Sequence, residues 1–144
     1  MSRIINPEGA AKERTRLTRA IVLALRALMR QQDLSEESLD LAAFIGLALQ
    51  ETYATVDASV GAWEKRGYWV KADRFRMEWE WSQVQGVKMA NAVLVEDWAM
   101  VAQVAATTGQ KLMKVAVPIR HKLGTPWVGA YERLRDIAYR QAKI

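Results

Sequence analysis

A row of basic side chains near the beginning of the chain is the feature best suited to binding chemistry. At about 100° per residue these side chains lie on one side of a helix, opposite its apolar face: Lys12, Arg16, Arg19, Arg26 and Arg30. Neighbouring like charges repel each other by roughly a few tenths of a kcal/mol, so folding alone does not favour such a row. An acidic partner explains it: a nucleic-acid backbone, an acidic protein, or the acidic second helix of this chain or of a neighbouring subunit. An ordinary solvated helix face is the structural alternative.

A second candidate lies between Trp63 and Arg76, where aromatic and basic side chains alternate. Aromatic rings stack on unpaired bases while cations hold the phosphates, so this composition suits single-stranded nucleic acid. The alternative is structural, because aromatic side chains at helical spacing are usually core and Lys or Arg stems often cover their rings. The residues assigned to nucleic-acid binding in this segment are Lys65, Arg66, Tyr68, Trp69, Lys71 and Arg74.

Residues for covalent or metal chemistry are nearly absent from the sequence. The single histidine, His121, lies between Arg120 and Lys122, whose positive charges repel a metal ion. The chain has no cysteine, no Glu-x-x-His pair and no glycine-rich phosphate loop. Glu78 and Glu80 lie two residues apart and so point in different directions on a helix, unlike a paired acid and base. The sequence therefore predicts no catalytic residue, metal site or cofactor, and His121 is expected to contact an anion or solvent.

The elements that carry these residues are predicted to be helices. The first begins at Asn6 and Pro7, a capping residue followed by a first-turn proline, and continues to about Gln32. The second has Ser35 as its cap and runs to about Gly67. Apolar residues recur every three or four positions in the first helix and every seven in the second, which indicates one buried face on each. The two are therefore expected to form an antiparallel hairpin.

Two glycines, Gly46 and Gly61, fall inside the second predicted helix. Glycine in a helix interior costs about 1 kcal/mol relative to alanine. Both positions are therefore predicted to be weak points of this helix.

The third predicted helix, residues 70–94, carries apolar side chains on two sides. One side holds Phe75, Trp79, Gly86, Met89 and Val93. Nearly opposite lie Met77, Trp81 and Val84. Two apolar sides need two partners, so this helix is either enclosed by its own bundle or uses the second side as an oligomer interface. The sequence leaves both arrangements open.

The remaining sequence predicts two shorter helices. The first begins at Trp98, and the pattern then loosens into a loop with a short extended piece before Pro118. Thr125 and Pro126 are interpreted as the cap and first-turn proline of the last helix. Together these elements predict an all-α protein: a helical bundle of four to five helices in a single domain, residues 1–144, with a long antiparallel helical hairpin in its N-terminal half.

The net charge of +5 is unevenly distributed. Residues 1–30 carry +5 and residues 31–64 carry −7, so a basic first helix precedes an acidic second one. The longest apolar run, residues 20–25, is too short to span a bilayer, and the first residues lack the apolar stretch of a secretory signal. The chain is therefore expected to be cytoplasmic and to have no membrane partner.

Three functions from different classes fit these patterns. The favoured one is a non-catalytic helical assembly or binding module, a nucleic-acid-associated accessory subunit that contacts the phosphate backbone through its basic helix face. The second is a protein-only oligomeric adaptor without nucleic-acid contact. The third is an enzyme of unrecognised type with a tryptophan-lined pocket.

Overall fold

Five helices make up most of the computed structural model, which describes residues 7–143. They are α1 (Pro7–Met29), α2 (Glu36–Lys65), α3 (Trp69–Leu94), α4 (Trp98–Lys111) and α5 (Ala130–Ala142). No strand occurs among these described residues, so the prediction of an all-α bundle of four to five helices is confirmed. None of the helices found there combines the length and the apolar character needed to cross a membrane. The predicted cap Asn6 lies outside the described residues.

The N-terminal hairpin is present as predicted. α1 packs along α2, and Arg14 in the first half of α1 contacts Thr55 and Ser59 in the second half of α2. The two helices are therefore antiparallel. α2 begins with the predicted serine cap, because Ser35 and Ser38 each accept a hydrogen bond from the other's backbone N–H at 3.3 Å. This reciprocal pair satisfies two amides that lack a partner in the first turn of a helix.

α2 is the central helix of the bundle. It packs against α1, α3 and α5, whereas α4 packs on α3 and only lightly on α1. The first half of α2 is consequently enclosed, and every residue in 41–46 is buried. The prediction of a single buried face is therefore wrong for this half. One apolar core joins all five helices, with members that include Leu17, Ile45, Val93, Val104 and Leu134.

The last helix begins later than predicted. Thr125 and Pro126 do not open it, because residues 126–129 form a turn and α5 starts only at Ala130. Gly129 precedes the helix with a φ of +80°, a left-handed conformation that interrupts any helix continuing from Pro126. The cap-and-proline signal therefore marks a turn at this place.

A carboxylate from another helix caps α5. Asp40 of α2 accepts hydrogen bonds from the backbone N–H groups of Gly129, at 3.1 Å, and Tyr131, at 3.0 Å. Gly129 has no side chain that could cap the helix itself. The negative charge also lies at the positive end of the helix dipole. Asp40 thus couples the start of α5 to the centre of the bundle.

We expect Asp40→Ala to lower the free energy of unfolding by about 1–2 kcal/mol, because two backbone amides lose their acceptor. Chemical denaturation followed by circular dichroism measures this difference. Asp57→Ala is the matched control, since it removes an exposed carboxylate from the same helix and should change stability by less than about 0.5 kcal/mol. Equal decreases in the free energy of unfolding of the two variants would contradict the capping role of Asp40.

Candidate nucleic-acid interface

The first half of α1 and the connection between α4 and α5 enclose a cleft of about 430 Å³, which we call the α1 cleft. Three members of the predicted basic row line it from successive turns of α1: Lys12, Arg16 and Arg19. The connection contributes His121 and Leu123. The structure therefore brings the only histidine of the chain to the basic side of α1.

The predicted basic row is divided by this geometry. Arg26 and Arg30 are exposed further along α1 and do not line the cleft. At about 1.5 Å per residue, Arg26 lies roughly 10 Å beyond Arg19 along the helix axis. The row is thus one concave group of three cations followed by two outlying arginines.

Within residues 7–143, only one of the three cations in the α1 cleft forms an ion pair. Glu13, the one acid among the described lining residues, accepts hydrogen bonds from two nitrogens of Arg16. This hydrogen bonding raises the pKa of Arg16 above its usual value, against the opposing effect of burial. Lys12 and Arg19 form no ion pair with any residue in 7–143. The α1 cleft therefore carries net positive charge and attracts anions.

His121 adds a hydrogen-bonding group to these charges. Its Nδ1 accepts a hydrogen bond from the backbone N–H of Leu123 at 3.0 Å. In the neutral ring the proton is then on Nε2, which is left as a donor. Lys122 lies between these residues with a φ of +56°, an uncommon left-handed conformation for a residue with a side chain. Cations together with an N–H donor are the groups that bind phosphate oxygens.

The second predicted segment separates into a structural part and an exposed part. Trp63 and Phe75 pack edge to face with ring centroids 5.0 Å apart, and the ring centroids of Phe75 and Trp79 are 6.3 Å apart. These rings cover a small apolar cluster between α2 and α3 that includes Val56 and Val60. The structural interpretation is therefore correct for the inner aromatic residues.

The exposed part is the junction where α2 ends and α3 begins, which we call the aromatic corner. Tyr68 and Trp69 are 52% and 59% exposed, which leaves large faces of both rings in solvent. The basic residues assigned to nucleic acid in this segment are also exposed: Lys65, Arg66, Lys71 and Arg74. Lys71 has a structural contact as well, since its Nζ lies 4.4 Å from the ring centroid of Trp63. Exposed rings surrounded by cations are typical of surfaces that bind unpaired bases.

Arg14 is a structural residue that the sequence interpretation missed. Its guanidinium donates to Thr55 Oγ1 at 3.1 Å and to Ser59 Oγ at 3.5 Å, and lies 4.7 Å from the ring centroid of Phe75. Burial lowers the pKa of Arg14, while the Glu78 carboxylate acts in the opposite direction. These contacts join α1, α2 and α3. They also place the first half of α1, with the α1 cleft, at the same end of the bundle as the aromatic corner.

The second apolar side of α3 is exposed at two of its three predicted residues. Met77 is 74% exposed and Val84 is 46% exposed. Trp81 differs, because it is half-buried and stacks on Trp79 with ring centroids 6.1 Å apart. Of the two arrangements that the sequence left open, enclosure by the bundle is therefore wrong for Met77 and Val84 within residues 7–143.

An apolar cavity of about 650 Å³ lies between the end of α1 and α4. Its apolar lining includes Leu25, Leu28 and Val101. Trp98 is its one tryptophan and Asp33 its one ionisable group among the described lining residues. His121 belongs to the α1 cleft and does not line this cavity. The cavity and His121 therefore lie at different places in the fold.

The surfaces that stand out are the α1 cleft and the aromatic corner. In the α1 cleft Lys12 and Arg16 are exposed and Arg19 is half-buried, and in the aromatic corner exposed cations surround two exposed rings. Comparison with known proteins finds no matching family model, no matching curated protein and no matching solved structure.

Proposed function

We propose that this protein is a non-catalytic helical module that binds the backbone of single-stranded nucleic acid through the α1 cleft, as an accessory subunit of a nucleoprotein assembly. The single observation that carries this proposal is the convergence of Lys12, Arg19 and His121 in one concave site. Two cations that form no ion pair within residues 7–143 and one ring nitrogen donor match the needs of a phosphate group.

The aromatic corner favours nucleic acid over a small anion. A small anion requires cations only, whereas a single strand also presents unpaired bases with exposed π faces. Tyr68 and Trp69 offer rings for such bases at the same end of the bundle as the α1 cleft. Duplex DNA keeps its bases stacked, so these rings favour a single strand.

Charge reversal in the α1 cleft tests the proposal. We expect Lys12→Glu/Arg19→Glu to reduce affinity for a fluorescent single strand of about 20 nucleotides by about 100-fold or more at low salt. Fluorescence anisotropy measures the dissociation constants. Lys111→Glu/Lys114→Glu is the matched control, because both lysines are exposed, lie outside the cleft and give the same change in net charge. The affinity of the control variant for the oligonucleotide should fall by less than about 5-fold.

Two outcomes would contradict the proposal. Equal losses of affinity in the cleft variant and the control would mean that only overall charge attracts the oligonucleotide. Absence of any binding by the wild type at micromolar protein and low salt would exclude nucleic acid as the ligand. Circular dichroism of each variant confirms that the helices remain folded.

A protein-only oligomeric adaptor is the second candidate, favoured by the exposed apolar side of α3. Wild-type protein that self-associates but binds no oligonucleotide would support this function in place of the first.

A further inference from the structure

The outer side of α3 carries an exposed apolar row, which we call the α3 stripe: Val70, Met77 and Val84. These side chains are 65%, 74% and 46% exposed. They are spaced seven residues apart, and the small drift of such a row around a helix is removed when two helices supercoil. A second helix lying along α3 therefore fits the α3 stripe.

The two flanks of the α3 stripe have opposite charge. On a helical wheel Asp73 and Glu80 lie on one flank, and Arg74 and Lys88 lie on the other. All four side chains are exposed. Asp73 pairs with Arg76 at 3.1 Å, whereas Arg74, Glu80 and Lys88 form no ion pair with a residue in the described part of the chain. This asymmetry makes the surface complementary to a copy of itself.

The relative direction of the two copies follows from these flanks. When two identical helices pack in parallel, the acidic flank of each faces the basic flank of the other, so Asp73 lies beside Arg74 of the second copy. Antiparallel packing instead brings equal flanks together, with Asp73 beside Glu80 of the second copy. Like charges at a contact are unfavourable and opposite charges set the pairing. The parallel arrangement is therefore favoured.

We propose that the protein forms a two-fold symmetric dimer in which the α3 stripes of two copies pack in parallel. The three apolar layers of the stripe, from Val70 to Val84, extend about 21 Å along α3. Arg74, predicted from sequence to contact nucleic acid, is reassigned to this interface. The aromatic corner lies at the start of α3, whose first residue is Trp69, so the dimer places two aromatic corners next to each other.

Introduced cysteines test the direction of packing, because the chain has none of its own. The full-length single variants Val70→Cys, Met77→Cys and Val84→Cys are oxidised under mild conditions and separated by non-reducing electrophoresis. Parallel packing predicts that each variant forms a disulfide with the same residue of a second copy. An antiparallel dimer centred on Met77 would crosslink Met77→Cys alone, and would link Val70→Cys to Val84→Cys in a mixture. Crosslinking of none of the three would overturn the proposal.

Sedimentation equilibrium provides an independent readout of the same interface. We expect the wild type to dimerise reversibly and Met77→Glu to raise the dissociation constant by about 100-fold or more, because two carboxylates meet at the centre of the contact. Met113→Glu is the matched control, since Met113 is similarly exposed at 77% and lies outside the α3 stripe. A wild type that remains monomeric at about millimolar concentration would exclude the dimer. Neither result depends on nucleic-acid binding.

Discussion

Gly86→Ala is expected to lower the free energy of unfolding by about 2–3 kcal/mol, because no space for a methyl group exists where α3 crosses α2. A Cβ atom on Gly86 would lie 2.8 Å from Gln50 Cγ, 3.0 Å from the Gln50 backbone N and 3.0 Å from the Gly46 carbonyl oxygen. Two of these three atoms belong to the backbone, so the helices themselves must separate. Gln50 Nε2 also donates to the carbonyls of Gly46 and Gly86 at 3.3 and 3.4 Å, and separation would strain both bonds.

Gly61→Ala is the matched control for this substitution. It also lies inside a helix, but a Cβ atom there would have no neighbour within 4 Å. We therefore expect it to raise the free energy of unfolding by roughly 0.5–1 kcal/mol, through the higher helix propensity of alanine. Urea denaturation of both variants measures the two effects. Changes of the same sign would contradict a close α2–α3 contact at Gly86.

Arg14→Ala is expected to lower the free energy of unfolding by about 2 kcal/mol. The substitution removes hydrogen bonds to Thr55 and Ser59, the cation above Phe75 and the packing of the arginine stem. Arg14→Lys should recover only part of this loss, because an ammonium group cannot reproduce the planar contacts of the guanidinium.

Arg26→Ala serves as the comparison for Arg14 because Arg26 is exposed on the same helix. Arg26→Ala should change the free energy of unfolding by less than about 0.5 kcal/mol. Thermal unfolding of the three arginine variants beside the wild type gives the order of stabilities. If Arg14→Ala were as stable as Arg26→Ala, the junction of α1, α2 and α3 would not depend on this side chain.

The helices were predictable because their signals are local. Apolar periodicity and the Ser35 cap depend on residues within a few turns of each other, so α1 to α4 lie close to their predicted positions. The start of α5 was not predictable in this way. Its cap, Asp40, lies on another helix, and no local pattern connects Asp40 with Gly129. Gly46 was likewise misjudged as a weak point, because its close approach to α3 is a tertiary contact.

The candidate site was predictable only in part. A helical wheel groups Lys12, Arg16 and Arg19, but the position of His121 depends on the path of a long connection across α1. Arg14 could have been recognised from sequence, since it lies three residues before Leu17 and shares the apolar face of α1. A basic residue on an apolar face signals a buried contact rather than a binding surface.

The salt dependence of oligonucleotide affinity measures phosphate contacts in the α1 cleft directly. For a single strand, each neutralised phosphate contributes about 0.7 to the slope of log affinity against log salt concentration. If Lys12 and Arg19 each bind one phosphate, Lys12→Gln/Arg19→Gln should have a slope shallower than that of the wild type by about 1.4. Equal slopes for two proteins that both bind would place the phosphate contacts elsewhere and contradict the proposed role of the α1 cleft.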